Sequence, residues 1–224
     1  MRIHRSTPLS AVAGPLLAEA ITAFIAQTGR CRLGLSGGST PAGTMSWLGA
    51  NLSGAALAGL WITWVDERNV PLRHPDSSHR LAAETGLLNH AGMVLPMCFG
   101  GELSDEKEAF DTAFAADFDG GLDIALLGVG PDGHIASLFP GHPGLSATGL
   151  SVAISDSPKP PLQRLSLTLP VLEAVTVAML LARGAGKAEA LSRADPSTPI
   201  SRYRPTGYYH WVLDEAAAAA LESR

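Results

Sequence analysis

The chain of 224 residues is 46% hydrophobic and 17% charged, which is typical of a globular protein with enough length to bury a sizeable core. Its 16 basic and 21 acidic residues give a net charge of −5, which argues against nucleic acid or an anionic membrane as a partner. An anionic substrate would have to be held by local positive groups. We expect a single domain over residues 1–224.

The N-terminal segment is predicted to form an amphipathic helix and not a secretory signal. Its apolar residues recur at helical spacing, and Glu19 interrupts the apolar run. We place Thr7 at the cap, Pro8 at the first helical position and the end of the helix near Gly29. No run approaches the roughly 20 apolar residues of a membrane span, so we expect a cytoplasmic protein.

Strands and helices alternate along the rest of the chain. Predicted strands cover residues 32–35, 61–65, 94–99, 122–127, 164–170, 176–182 and 208–214. Predicted helices cover residues 41–48 with Thr40 as cap, 77–89, a segment from Ser104 or Asp105, 186–194 and the alanines after 214. Pro96 would confine strand 94–99 to a sheet edge. Residues 66–78 are interpreted as a polar loop, and residues 141–161 as a mobile surface connection.

This alternation predicts one three-layer, doubly wound α/β domain with a mostly parallel, Rossmann-like sheet. Two cysteines, Cys31 and Cys98, fall in its apolar, strand-like segments. They are too few for a disulfide framework, and no metal-ligand spacing involves them. We therefore expect two buried thiols in a reducing compartment.

The sequence SGGSTP (36–41) joins a predicted strand to a predicted helix. Glycines let the backbone approach a ligand, and the N–H groups of a helix N-terminus face an anion. The alternative is an ordinary strand-to-helix turn with a good cap. Walker A is excluded because its Lys is absent. Residues 34–38 also match the G-x-S-x-G turn of hydrolases, but no earlier strand supplies an oxyanion hole, and His210 lies inside a predicted strand.

The segment DIALLGVGPDGHIASLFP (123–140) carries polar residues just past the end of an apolar strand. Open α/β sheets bind ligands at that edge. We expect His134 to act there as a base, because Asp132 can orient the imidazole and stabilise its protonated form. The alternative is a polar residue at a helix start. Residues 128–133 also match G-x-G-x-x-G, but Pro131 removes a donor and Asp132 would repel a pyrophosphate.

Further charged residues are predicted at the same edge. The DER sequence (66–68) directly follows strand 61–65, and Arg164 begins strand 164–170. Lys187 opens a predicted helix, where it opposes the helix dipole, so a bound anion would explain its position. The alternative for each is an ordinary solvated charge.

Five segments, taken in order, resemble the family of 6-phosphogluconolactonases and glucosamine-6-phosphate isomerases or deaminases. They are LSGGSTP (35–41), WVDERNVP (64–71), LLGVGPDGHIASLFPG (126–141), RLSLTLP (164–170) and GKAEAL (186–191). The resemblance covers nearly the full chain, and SLFP after DGH is similar to the lactonase branch. Two positions depart from the family pattern: Ser78-His79 stands where Ser-Asn is frequent, and Ile135 stands where Thr is usual.

The resemblance implies a sugar-phosphate isomerase/deaminase-like fold and hydrolysis of 6-phosphogluconolactone, the second step of the oxidative pentose phosphate pathway. We expect no metal, because no cluster with metal-ligand spacing is visible, and no cofactor, because ester hydrolysis involves no redox step. By resemblance, His134 activates water, and Asp132 and Asp66 belong to the catalytic neighbourhood. The residues expected to bind the phosphate and sugar acid are Ser36, Gly37, Gly38, Ser39, Thr40, Arg68, Gly130, Gly133, Arg164 and Lys187. The oxyanion donor stays open between a backbone N–H of residues 128–133 and Arg68.

Two other functions stay open. A sugar-phosphate isomerase or deaminase would use Asp66 to abstract a carbon-bound proton. A sugar-phosphate sensor would bind without turnover, but such domains usually carry a DNA-binding helix-turn-helix, and the chain has no basic extension for one. The expected partner is a small sugar phosphate, with no nucleic acid and no membrane, and we expect a monomer or small homo-oligomer.

Overall fold

The computed structural model describes residues 1–193 and 195–221. The strands are β1 (Arg2–Arg5), β2 (Cys31–Leu35), β3 (Leu60–Trp64), β4 (Asp66–Arg68), β5 (Met93–Val94), β6 (Ile124–Gly128), β7 (Ser151–Ile154), β8 (Arg164–Leu167), β9 (Val177–Ala182) and β10 (Tyr208–Leu213). The helices are α1 (Ser10–Thr28), α2 (Ser39–Asn51), α3 (Gly54–Ala58), α4 (Ser78–Glu84), α5 (Leu103–Phe118), α6 (Leu169–Glu173), α7 (Ala188–Ser192), α8 (Pro199–Arg202) and α9 (Glu215–Ala218). Turns of 3₁₀ helix lie at Leu87–His90, Pro143–Ser146, Ala185–Lys187 and Ala219–Leu221.

Seven strands form one sheet in the order β1-β10-β9-β6-β2-β3-β5, and each neighbouring pair is parallel. The prediction of a doubly wound α/β fold with a mostly parallel sheet is confirmed. From β2 the chain adds β3 and β5 on one side, and then β6, β9 and β10 on the other. The strand order therefore reverses between β2 and β6, which is where open α/β sheets bind ligands.

A second, three-stranded sheet has the order β4-β8-β7 and is antiparallel. The prediction that residues 66–78 are all loop is therefore wrong, because β4 lies there. Residues 141–161, predicted as a mobile surface connection, contain strand β7. These strands are only three or four residues long, and Asp66 pairs with Ser166 from a distant part of the chain. Local patterns carry little information about such short pairings.

The N-terminal helix begins later than predicted. β1 pairs with β10, and the N–H of Ser6 still donates to the backbone of β10 at 3.0 Å. Because the chain stays extended through Ser6, Thr7 and Pro8 lie in the connection, and α1 begins at Ser10. The predicted end is confirmed, since Gly29 closes the helix in the left-handed conformation (φ 79°).

Other helix boundaries also differ from the prediction. α2 begins at Ser39, with Gly38 and not Thr40 at the cap, because Gly38 adopts φ 94°. The helix predicted over 77–89 ends at Glu84, before a left-handed Gly86. Lys187 ends a 3₁₀ turn and lies at the cap position of α7. As predicted, the strand near Pro96 lies at a sheet edge, although β5 has only two residues.

The core contains side chains from both sheets and from the helices that flank them. Cys31 and Cys98 are buried and unpaired, and burial raises the pKa of both thiols, so the prediction of buried thiols is confirmed. α1 reaches the length and apolar composition of a membrane-spanning helix, contrary to the expectation that no segment would. Its residues Leu17 and Ile21 are fully buried in the core.

Candidate active site

A crevice of about 250 Å³ opens where β2, β6 and β9 end. Its lining brings together ten of the thirteen predicted site residues. They are Ser36, Gly37, Gly38, Ser39, Thr40, Asp66, Arg68, His134, Arg164 and Lys187. The other three, Asp132, Gly130 and Gly133, are not among the described lining residues and lie in the loop that carries His134. Side chains from five separate segments therefore face one cavity.

The imidazole of His134 is paired with a carboxylate. Its Nδ1 lies 2.6 Å from Oδ1 of Asp132. Partial burial opposes ionisation of Asp132, but the hydrogen bond from His134 and the charges of His134 and Lys159 outweigh burial, so the pKa of Asp132 lies well below its usual value. An ionised carboxylate only accepts hydrogen bonds, so Nδ1 must carry the proton. In the neutral imidazole, the other ring nitrogen, Nε2, then has a free lone pair.

The loop that presents this pair is tightly packed. Gly130 donates its N–H to the carbonyl of His134 at 2.9 Å, and Gly133 donates to the carbonyl of Gly130 at 3.0 Å. A Cβ on Gly130 would lie 2.0 Å from Nδ1 of His134, so only glycine fits beneath the ring. Gly133 adopts φ 82° and approaches Thr198. Both glycines shape the loop behind the crevice.

The second carboxylate, Asp66, is held by two groups. The hydroxyl of Ser137 donates to Oδ2 of Asp66 at 2.6 Å, and Nη1 of Arg164 lies 4.0 Å from the same oxygen. Asp66 is 8% exposed and Ser137 is fully buried. Because β4 pairs with β8, Asp66 and Arg164 are brought to the same face of the second sheet.

Three cations line the crevice. Burial lowers the pKa of Arg164, and the charge of Asp66 opposes that effect. Burial and then the charge of Lys159 lower the pKa of Lys187. Arg68 donates from Nη1 to the carbonyl of Asp76 at 2.7 Å, but its buried Nε has no partner among the described residues. A multiply charged anion would neutralise this cluster.

The turn over residues 36–40 has the features of an anion site. α2 is thirteen residues long, and no side chain caps its first turn in the described part of the chain. The N–H groups of that turn therefore remain available to a ligand, and the helix dipole favours negative charge. The hydroxyl of Ser36 is not free, since it accepts a hydrogen bond from the N–H of Gly128 at 3.2 Å. Ser36 thus joins β2 to β6 at the base of the crevice.

Four further residues support the site and were not named as site residues from the sequence, although Glu67 belongs to the DER sequence predicted at this edge. Glu67 is buried and accepts backbone N–H groups of Ser78 and His79 at 2.9 and 2.8 Å, and burial raises its pKa. Phe139 packs against the ring of His134 in a tilted arrangement, at 4.9 Å between centroids, and lies 6.0 Å from the guanidinium of Arg164.

Lys159 and Ser137 are the other two. Lys159 lies in a stretch whose prolines suggested a surface connection, and its Nζ reaches Asp132 at 3.3 Å. The available signal was a lysine five residues before Arg164. Ser137 lies inside SLFP, and no local pattern distinguishes its hydroxyl from that of an ordinary loop serine.

Metal chemistry has no evident ligand set here, since no group of three or more His, Cys, Asp or Glu side chains with suitable placement occurs among residues 1–193 and 195–221. A larger groove of about 740 Å³ lies beside β1 and β10. None of the predicted site residues lines that groove, so the smaller crevice is the better candidate for catalysis.

Comparison with known proteins gives consistent results. Residues 5–211 match the family model for glucosamine-6-phosphate isomerases/6-phosphogluconolactonase. The chain is 37% identical to a 6-phosphogluconolactonase of Mycobacterium tuberculosis, over 96% of this chain and 95% of that protein. It is 40% identical to a human 6-phosphogluconolactonase, over 96% and 91%. The solved structure of 6-phosphogluconolactonase from Trypanosoma cruzi superposes with a TM-score of 0.88 at 26% identity, covering 98% of this chain and 96% of the other.

Proposed function

The chain belongs to the glucosamine-6-phosphate isomerase/6-phosphogluconolactonase family, and on that basis we propose that it hydrolyses 6-phosphogluconolactone to 6-phosphogluconate. The observation that carries this proposal is the arrangement of the crevice. An imidazole paired with a carboxylate lies in the same cavity as three cations and an uncapped helix N-terminus. Such a site suits a substrate with a phosphate at one end and an ester at the other.

In the proposed reaction, His134 is the general base. Its Nε2 takes a proton from water as the water oxygen attacks C1 of the lactone. The bond from C1 to the ring oxygen then breaks, and the imidazolium returns the proton to that oxygen. Asp132 holds the ring orientation and stabilises the imidazolium that forms between the two steps. The product of these two steps is a single open-chain sugar acid, 6-phosphogluconate, which carries the new carboxyl group at C1.

We propose that Arg68 stabilises the negative charge that develops on the carbonyl oxygen of the lactone. The N–H groups of Gly128, Gly130 and Gly133 are already bonded within the protein, which leaves few backbone donors in that loop. Arg68 lines the crevice and has a buried Nε without a partner in the described chain. A preorganised cation at the developing oxyanion is among the strongest contributions to catalysis.

We propose that the phosphate of the substrate binds at the start of α2 and that Lys187 and Arg164 are its charged contacts. The phosphate on C6 is remote from the reacting C1, so the energy of binding it serves to position the lactone against His134. Asp66, held by Ser137, is positioned to orient sugar hydroxyls or Arg164. The proposed partner is thus one small sugar phosphate.

The family also contains isomerases. In that alternative function of this chain, Asp66 would abstract a proton from carbon. The pairing of His134 with Asp132 leaves a basic nitrogen suited to water activation, which favours hydrolysis. Purified protein should convert freshly made lactone faster than its spontaneous hydrolysis, measured by coupled formation of the acid. It should not exchange solvent deuterium into a sugar-phosphate carbon. Exchange without hydrolysis would establish the isomerase alternative, and calorimetric binding without either reaction would establish a sensor.

A further inference from the structure

Lys159 contacts the catalytic pair at the hydrogen bond between Asp132 and Nδ1 of His134. Its Nζ lies 3.3 Å from Oδ1 of Asp132 and 3.3 Å from Nδ1 of His134. Since Nδ1 carries a proton, two donors meet there, and the hydrogen bond of the ammonium goes to the carboxylate. One oxygen of Asp132 thus accepts from both the imidazole and Lys159, which matches its two lone pairs.

The turn that carries Lys159 is closed by its own hydrogen bonds. Ser157, which is 2% exposed, donates its N–H to the carbonyl of Leu162 at 3.0 Å, and its hydroxyl donates to the carbonyl of Lys159 at 2.8 Å. The guanidinium of Arg164 donates to the carbonyls of Lys159 and Pro160, each at 3.2 Å. The backbone carbonyls of this turn therefore accept hydrogen bonds from Arg164, while its lysine side chain donates to Asp132.

We propose that Lys159 is a positioning residue, whose ammonium holds the carboxylate of Asp132 in the orientation that fixes the imidazole of His134. This inference rests on the proposed hydrolysis for its kinetic consequence. Asp132 needs such a partner because its side chain is 35% exposed and lies on a short loop. Without the ammonium, a carboxylate at that exposure can turn toward water, and the ring it orients then occupies more than one rotamer.

The two roles of the turn allow a sharp test with K159M and K159R. K159M removes the ammonium but keeps the backbone carbonyls that bind Arg164. We expect kcat for the lactone to fall about tenfold with KM within about twofold of wild type, because a misplaced base slows the chemical step and not binding. K159R restores a cation and should recover most of the lost kcat. Lys107→Met, which removes a lysine paired with Asp111 on α5, is the matched control and should change neither constant.

An imidazole ¹⁵N spectrum supplies a measurement that does not depend on turnover. In wild type, His134 should show a single tautomer protonated at Nδ1, and in K159M it should show a mixture. Unchanged kcat and spectrum in K159M would overturn the proposal, and so would a raised KM with unchanged kcat, which would show that the turn acts only through Arg164. If wild type fails to hydrolyse the lactone, the proposed function falls, and the spectrum alone decides the role of Lys159.

Discussion

Replacing Gly130 by Ala tests how closely the catalytic pair is packed on its own loop. A Cβ at this position would lie 2.0 Å from Nδ1 and 2.1 Å from Cε1 of His134, and 2.3 Å from Oδ1 of Asp132. Carbon and nitrogen atoms in contact prefer about 3.5 Å, so the imidazole must move by roughly 1 Å or more. The backbone of Gly130 is not in the left-handed region, so the effect is steric and not conformational.

A displacement of that size is expected to lower kcat for lactone hydrolysis about 100-fold. KM should change little, because the phosphate contacts lie on other segments. The matched control is Gly121→Ala, at a position where no described atom lies within 4 Å of the new Cβ. Steady-state kinetics with melting curves separates loss of alignment from loss of fold. A G130A enzyme with kcat within threefold of wild type and an unchanged melting temperature would refute this reasoning.

Three further predictions concern the cations of the crevice, the buried hydroxyl of Ser137 and the loss of stability at low pH. Arg164→Ala and Lys187→Ala should each raise KM about tenfold with a smaller effect on kcat, whereas Lys107→Ala on α5, outside the crevice lining, should not. An unchanged KM in both would remove them from the phosphate site. Ser137→Ala leaves buried Asp66 without its 2.6 Å donor and should cost about 1.5–3 kcal/mol, lowering the melting temperature by roughly 5–10 °C, while Ser104→Ala on the surface should not. The pKa of Asp132 is lower in the folded state than in the unfolded chain. Below about pH 4 the unfolded chain therefore binds more protons than the folded protein. The free energy of unfolding of the wild type is expected to decrease as the pH is lowered through that range. Urea unfolding of Asp132→Asn should show a weaker fall over that range, and equal slopes would contradict the assignment.

The parallel sheet was predictable because its strands are apolar runs bounded by glycine or proline. β2, β6 and β9 have such sequences, and each ends in a polar turn that reaches the crevice. The site residues at those ends could therefore be expected to converge. His134 and Asp132 were identifiable because a carboxylate two residues from an imidazole can reach it.

The second sheet was not predictable from local pattern. Asp66–Arg68 is a charged triplet that forms a strand only because Arg164–Leu167 lies beside it. The same long-range pairing explains why Glu67 is buried while its sequence is typical of a solvated loop. Lys159 was not predicted for a related reason, because its contacts are not local in sequence. Its proposed role depends on a turn closed by Ser157 and on contact with His134, 25 residues earlier.

His134 is the proposed base for hydrolysis, in a site whose binding groups lie on other segments. The most direct test of this role is the H134A variant. Its turnover is measured with fresh lactone against spontaneous hydrolysis, and its binding of 6-phosphogluconate is measured by calorimetry. We predict that kcat falls by about 10²- to 10⁴-fold, while the Kd for the acid stays within about threefold of wild type. Turnover close to wild type in H134A would contradict the account.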